Sequence, residues 1–182
     1  SKIYEEALEF YNRSLEIDSE SSLVWSNKGD TLFYLNRYKE AIECYNKTLE
    51  ISPHNELAWY NIGDALYCLN RYEEAIEYFD KALEIAPEYK EAWSLKGLTL
   101  QYSHKYDEAE ICYDKALEID GNYEVAWYNK ACNEALRNNK KKSIEYLKRA
   151  IELNEENLDL AKTDEDFKNI RDSKEFKELI GE

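Results

Sequence analysis

Residues 56–89 read ELAWYNIGDALYCLNRYEEAIEYFDKALEIAPEY, and this stretch decides the fold. Trp59, Ile62, Gly63 and Leu66 recur at i, i+3, i+4 and i+7, the spacing of one helix face. Asn70 and Arg71 interrupt the pattern, and a second stripe follows through Tyr72, Ala75, Ile76, Phe79, Ala82 and Leu83. Pro87 comes two residues after Ile85, where a helix must already have stopped. The stretch therefore encodes two amphipathic helices joined by a tight turn. Neither can bury its stripe alone.

The unit recurs along the chain. Trp25, Trp59, Trp93 and Trp127 are 34 residues apart, and so are Tyr4, Tyr38, Tyr72 and Tyr106. Ala7, Ala41, Ala75 and Ala109 keep the same step, as do Gly29, Gly63 and Gly97, with Ala131 in the fourth copy. A 34-residue helix-turn-helix period is the signature of a helical solenoid. The order Trp, Gly, Tyr, Ala, Tyr or Phe, Ala, Pro resembles the tetratricopeptide repeat family, from Tyr4 to about Asn157. The resemblance implies an all-α, right-handed helical solenoid, with first helices on the concave side and second helices on the convex side. It also implies that Gly63 and Ala75 mark the close contact within a unit.

Four full repeats are expected, at residues 22–55, 56–89, 90–123 and 124–157. Residues 1–21 match only the second helix of a unit, through Tyr4, Ala7, Leu8, Tyr11 and Leu15. With their partner helix missing, Leu8 and Tyr11 are expected to be covered by another molecule, or by the first helix of the first full repeat plus a neighbour, which makes self-association through this half repeat an option. Ser21 or Ser22 is expected to cap the first helix of the first repeat. Gly121 stands at the closing Pro position and is read as a left-handed helix end. The fourth copy departs most: Glu134, Lys140 and Ser143 replace Leu, Tyr and Ala. Residues 158–182 lose the period and are expected to form short capping helices, with Thr163 and Ser173 as N-caps.

Among 182 residues, aromatics make up 14% and the formal net charge is −15. That charge argues against nucleic acid, whose binding depends on phosphate neutralisation, and favours neutral or basic partners. The four cysteines form no CxxC pair and read as free thiols in a reducing, cytoplasmic setting. No apolar run reaches the length of a membrane span. His54 and His104 fall in different kinds of turn, and no set of ligands closes at metal-binding spacing. Nor is there a phosphate-binding loop or nucleophile elbow. The expectation is no enzyme, no cofactor and no metal. Lys130, Arg137, Lys140, Lys141, Lys142, Lys148 and Arg149 make the fourth repeat basic, as a solvated face that pairs with the acidic tail or with a neighbouring molecule, or as a docking patch for an acidic partner, with nucleic acid the weaker option for want of interleaved aromatics.

The faces outside the stripes differ. On the second helix of the best copy they are charged: Glu73, Glu74, Glu77, Asp80, Lys81 and Glu84. On the first helices they carry aromatics and amides, which partner-facing surfaces favour. The candidate peptide-binding groove is Asn27, Asp30 and Tyr34, then Tyr60, Asn61, Asp64 and Tyr67, then Leu95 and Tyr102, then Tyr128 and Asn129. Asn27, Asn61 and Asn129 share one helical place, where an amide can pair with a peptide backbone. This resembles the asparagine ladders of some family members. The alternative is that these groups pack between repeats. The family's carboxylate clamp would need Lys, Asn and Arg where this chain has Ser26, Asp30, Glu91 and Leu95, with only Asn61 matching. The expected function is a scaffold holding a neutral or basic peptide. The alternative is a structural module that associates through its repeat ends.

Overall fold

A computed structural model describes residues 2–181. Ser1 and Glu182, the outer ends of the expected half repeat and cap, lie outside the described residues. The helices are α1 (Lys2–Ile17), α2 (Ser22–Tyr34), α3 (Tyr38–Ile51), α4 (Glu56–Cys68), α5 (Tyr72–Ile85), α6 (Lys90–Tyr102), α7 (Tyr106–Ile119), α8 (Glu124–Leu136) and α9 (Lys140–Leu153). A C-terminal segment adds α10 (Glu156–Thr163), a 3₁₀ turn (Glu165–Phe167) and α11 (Lys174–Ile180). No strand occurs among the described residues. The chain divides after Pro87 into two compact units. The first holds α1–α5, with α2 on α3, α3 on α4 and α4 on α5. The second holds α6 to α11, with α6 on α7, α7 on α8 and α8 on α9.

The turn inside each repeat is set by one residue with positive φ: Asn36, Asn70, His104 and Asn138, at φ 58–60°. The next residue's amide reaches back five positions, as in Arg37 N to Leu32 O and Arg71 N to Leu66 O, both 2.9 Å. This is the Schellman closure, which satisfies carbonyls that the helix end would orphan. Asn tolerates the left-handed conformation better than most side chains. The repeated Tyr of the second helix then locks the turn: Tyr38 and Tyr72 donate to Asn36 and Asn70 Oδ1 at 2.7 Å. Tyr106 Oη lies 2.9 Å from His104 Nδ1.

The groups nearest the glycines are rings of the second helix. A Cβ built on Gly29, Gly63 or Gly97 would lie 2.5, 2.7 or 2.6 Å from Tyr45, Phe79 or Tyr113, which are fully buried. The glycine is the space that the aromatic of the second helix fills. In the fourth repeat both partners change together: Ala131 replaces the glycine and Leu147 the ring, and both are buried. Polar replacements are also accommodated. Ser143 Oγ donates to Ala131 O at 2.8 Å, and Thr48 Oγ1 to Cys44 O at 3.3 Å. The tryptophans are only part-buried, and their indole N–H pins the loop before the helix. Trp25, Trp59 and Trp127 donate to Ser19, Pro53 and Gly121 carbonyls at 2.9, 2.9 and 3.0 Å.

Several local expectations are corrected. Ser21 occupies the N-cap of α2 but makes no side-chain cap bond, whereas Asn55 caps α4 by accepting from Ala58 N at 2.8 Å. Gly121 is not left-handed, because the extended exit of α7 through Asp120 closes the repeat without it. Thr163 ends α10 instead of capping; Asp164 caps the following 3₁₀ turn, and Ser173 caps α11 as expected. The expected cover of Leu8 and Tyr11 comes from α2, the first helix of the first full repeat: Leu8 is buried, Tyr11 is part-buried, and α1 packs on α2. The bare stripe of α1 is instead Ile3, Phe10 and Ile17, 80%, 69% and 90% exposed.

The second unit answers the departures of the fourth repeat. Phe167, Ile170, Phe176 and Ile180 of the C-terminal segment form one buried cluster with Ala131, Ala135, Ile144 and Leu147. Glu134 is buried, with Arg137 Nη1 3.4 Å from its Oε1. Lys130 is 6% exposed and pairs with Asp114 and, at 3.4 Å, with Glu110 of α7. Arg137 reaches Asp107 at 2.7 Å, Lys140 reaches Glu175 at 3.1 Å, and Arg149 reaches Glu152 at 3.0 Å. Much of the basic run is thus paired within the unit.

Candidate functional site

In the first unit, α2 and α4 place the same face of successive repeats side by side. Asp30, Tyr34, Tyr60, Asn61 and Asp64 line one cavity of about 200 Å³, closed further by Phe33 and Tyr45. Asp30 Oδ1 accepts from Tyr45 Oη at 2.9 Å and from Asn61 Nδ2 at 3.1 Å. Asn61 therefore braces two repeats. Tyr34 stays 69% exposed at the mouth, stacked near-parallel on Tyr4 with centroids 6.1 Å apart. Tyr60 leans on Phe79, centroids 5.8 Å apart. Two groove candidates are not part of this lining. Tyr67 packs on Tyr72, and the Asn27 carbonyl accepts from Thr31 Oγ1 at 2.9 Å.

The two aspartates are not equivalent, and the reason is a sequence difference one helix away. Asp30 has the hydroxyl of Tyr45; at the matching place behind Asp64 stands Phe79, which has none. Asp64 is left with a long contact from the Cys68 thiol, 3.9 Å. Burial raises the Asp64 carboxyl to about 6; it also raises Asp30, where the Tyr45 bond opposes it. Neither carboxylate has an ion-pair partner among the described residues.

In the second unit, Asn129 Nδ2 lies 3.4 Å from Ser94 Oγ, again bridging first helices. Leu95 is part-buried and Tyr102 exposed. Tyr128 faces the C-terminal segment: its hydroxyl donates to Asp164 Oδ2 at 2.8 Å, and its ring meets Phe167 edge-on at 5.8 Å. Gln101 accepts from Tyr113 Oη at 3.1 Å and donates to Asp166 Oδ2 at 2.9 Å. Sequence reasoning left Tyr45, Asp164 and Asp166 out of the site and placed Gln101 on the first-helix face without a role. The Tyr/Phe choice at positions 45, 79 and 113 was a signal for Tyr45; Asp164 and Asp166 lie outside the repeat period, which carries no signal for them.

Folding also brings Cys132, Asp164 and Asp166 together, with ligand atoms within 4.8 Å of one another, a grouping that spacing alone concealed. Burial and the two neighbouring acids push the Cys132 thiol well up. Tyr128 and Gln101 already donate to the carboxylates. The donor set is thus engaged as a capping network, with the thiol proton held, and fits a metal poorly.

The family profile described as Tetratricopeptide repeat matches residues 20–88 and 54–119, and a second profile of the same description matches 125–157. Solved structures agree. "YrrB: a TPR protein with an unusual peptide-binding site" is 28% identical with TM-score 0.70, over 85% of this chain and 79% of its own. PilW, a "widely conserved type IV pilus biogenesis factor", is 23% identical with TM-score 0.83, over 97% and 82%. The first TPR of Spaghetti (RPAP3), bound to the HSP90 peptide SRMEEVD, is 28% identical with TM-score 0.61, over 64% and 93%. A comparison with curated proteins finds no significant relative. The chain belongs to the tetratricopeptide repeat family. Its fold class is all-α, of 34-residue helix-turn-helix repeats matching those of tetratricopeptide solenoids.

Proposed function

We propose that the chain is a non-catalytic scaffold whose first helices hold a peptide or protein segment, neutral or basic in character. The observation that carries this is the α2–α4 cavity, where amide, carboxylate and aromatic groups converge on an open face. Second helices instead carry mutually paired charges, such as Arg71 with Glu74 and Lys81 with Glu84. Two structural relatives are described with a peptide or a peptide site, which supports the class of function. An acidic tail of the kind bound by the Spaghetti repeat does not suit these residues. Asp30 and Glu91 would repel it, and Ser26 and Leu95 offer it no charge. For a peptide selected on the intact chain, Asn61→Ala and Tyr67→Ala should each weaken binding about severalfold with the helical signal retained. Unchanged affinity in both variants would move the site off this face.

A second reading has its own observation. Ile3, Phe10 and Ile17 leave a wet apolar stripe along α1. Burying it would favour association at roughly 25 cal/mol per Å² before docking costs. On this reading the half repeat mediates self-association, in parallel with peptide capture.

A further inference from the structure

We propose that the cavity between α2 and α4 is a receptor for one arginine side chain of the bound peptide, held by Asp30 and Asp64 with Tyr34 and Tyr60 as its walls. This rests on the reading that a peptide lies on the first-helix face, and names what that peptide carries. Charge complementarity points to a cation, because two part-buried carboxylates from successive repeats face one cavity and neither has an ion-pair partner among the described residues. An isolated carboxylate taken out of water is costly unless a donor or cation answers it. Asp30 is answered in part by Tyr45 and Asn61, while Phe79 denies Asp64 the same hydroxyl.

The walls select the kind of cation. Aromatic faces attract an organic cation, and a guanidinium stacks on them while presenting donors along several edges. A hard metal ion would need more oxygen ligands than two aspartates supply. An ammonium would offer a point charge without the planar face. The pocket is also singular in the repeat register: the place of Asp30 and Asp64 is taken by Leu98 and Cys132 in the later repeats. One arginine, at one register, is therefore specified.

The test is a random-peptide display selection on the intact 182-residue chain at neutral pH. A selected peptide is resynthesised with each arginine changed to glutamine, and titrated calorimetrically against wild type and Asp30→Asn/Asp64→Asn. Asparagine keeps the shape of both sites and the acceptor for Tyr45, and circular dichroism confirms the fold. One Arg→Gln change should weaken binding to wild type by about tenfold or more, and to the double variant by less than about threefold. Peptides that lose affinity on Tyr67→Ala but contain no arginine, or whose Arg→Gln penalty is equal in both proteins, would overturn the arginine receptor and leave the peptide-binding face standing. Peptides insensitive to Tyr67→Ala and to the double variant, or no selectable peptide, would overturn both.

Discussion

Single side chains decide two properties that the repeat consensus hides. His104 sits at φ 59° where the other three turns place asparagine. Asparagine tolerates this conformation better than histidine, and its side-chain oxygen can replace Nδ1 as the partner of Tyr106. His104→Asn should stabilise the chain by ~0.5–1 kcal/mol, raising Tm by about 1–4 °C in a thermal melt. A lower Tm would show that the imidazole contributes packing the amide cannot. Asp64 gives a pH signature. Its folded carboxyl, raised by burial to about 6 from 3.8, keeps a proton that the unfolded chain has lost between those values. Stability from this group therefore falls as pH rises through that window, and the penalty is complete above it. Asp64→Asn should melt higher than wild type at pH above about 6, and the difference should vanish towards pH about 4. An equal difference at both ends would assign the effect to packing. The groups facing Asp64 in this comparison are Asp30, Tyr38, Tyr45 and Cys68.

At the scale of the element, the helix pair is held by a glycine–ring exchange. Gly63 and Phe79 in the best repeat correspond to Ala131 and Leu147 in the last. Gly63→Ala alone gains helix propensity of about 1 kcal/mol but drives a methyl to 2.7 Å from the Phe79 ring. Overpacking of this kind costs ~1–3 kcal/mol. Phe79→Leu alone leaves a cavity. The double variant recreates the fourth-repeat pair, so in urea unfolding it should cost ~1 kcal/mol less than the two single changes summed. Strict additivity would mean that the pairs pack independently.

At the scale of the whole molecule, the proposed self-association would be set by two opposing features. On that reading the net charge of −15 would keep copies apart, and the exposed stripe of α1 would draw them together. Sedimentation should therefore show concentration-dependent association that strengthens as salt screens the charge. Phe10→Glu, at an exposed position, should suppress it without lowering Tm. A monomer at every concentration and salt would remove the second reading and leave peptide capture untouched.

The repeat period, the helix pairs and the aromatic first-helix face were all legible in the sequence. They rest on local periodicity, since apolar residues at 3.6-residue spacing mark one helix face. Tertiary structure decided what the repeats do with their exceptions. That Asn61 reaches Asp30, that Phe79 leaves Asp64 without a hydroxyl, and that Tyr128 serves the C-terminal segment are facts about side chains 15 to 36 residues apart. The same holds for Lys130, a surface charge by composition, which folding buries against Glu110 and Asp114. Hydrogen bonds and ion pairs act only over a few ångströms. Which polar groups meet is therefore set by how the helices stack, which no spacing along the chain records.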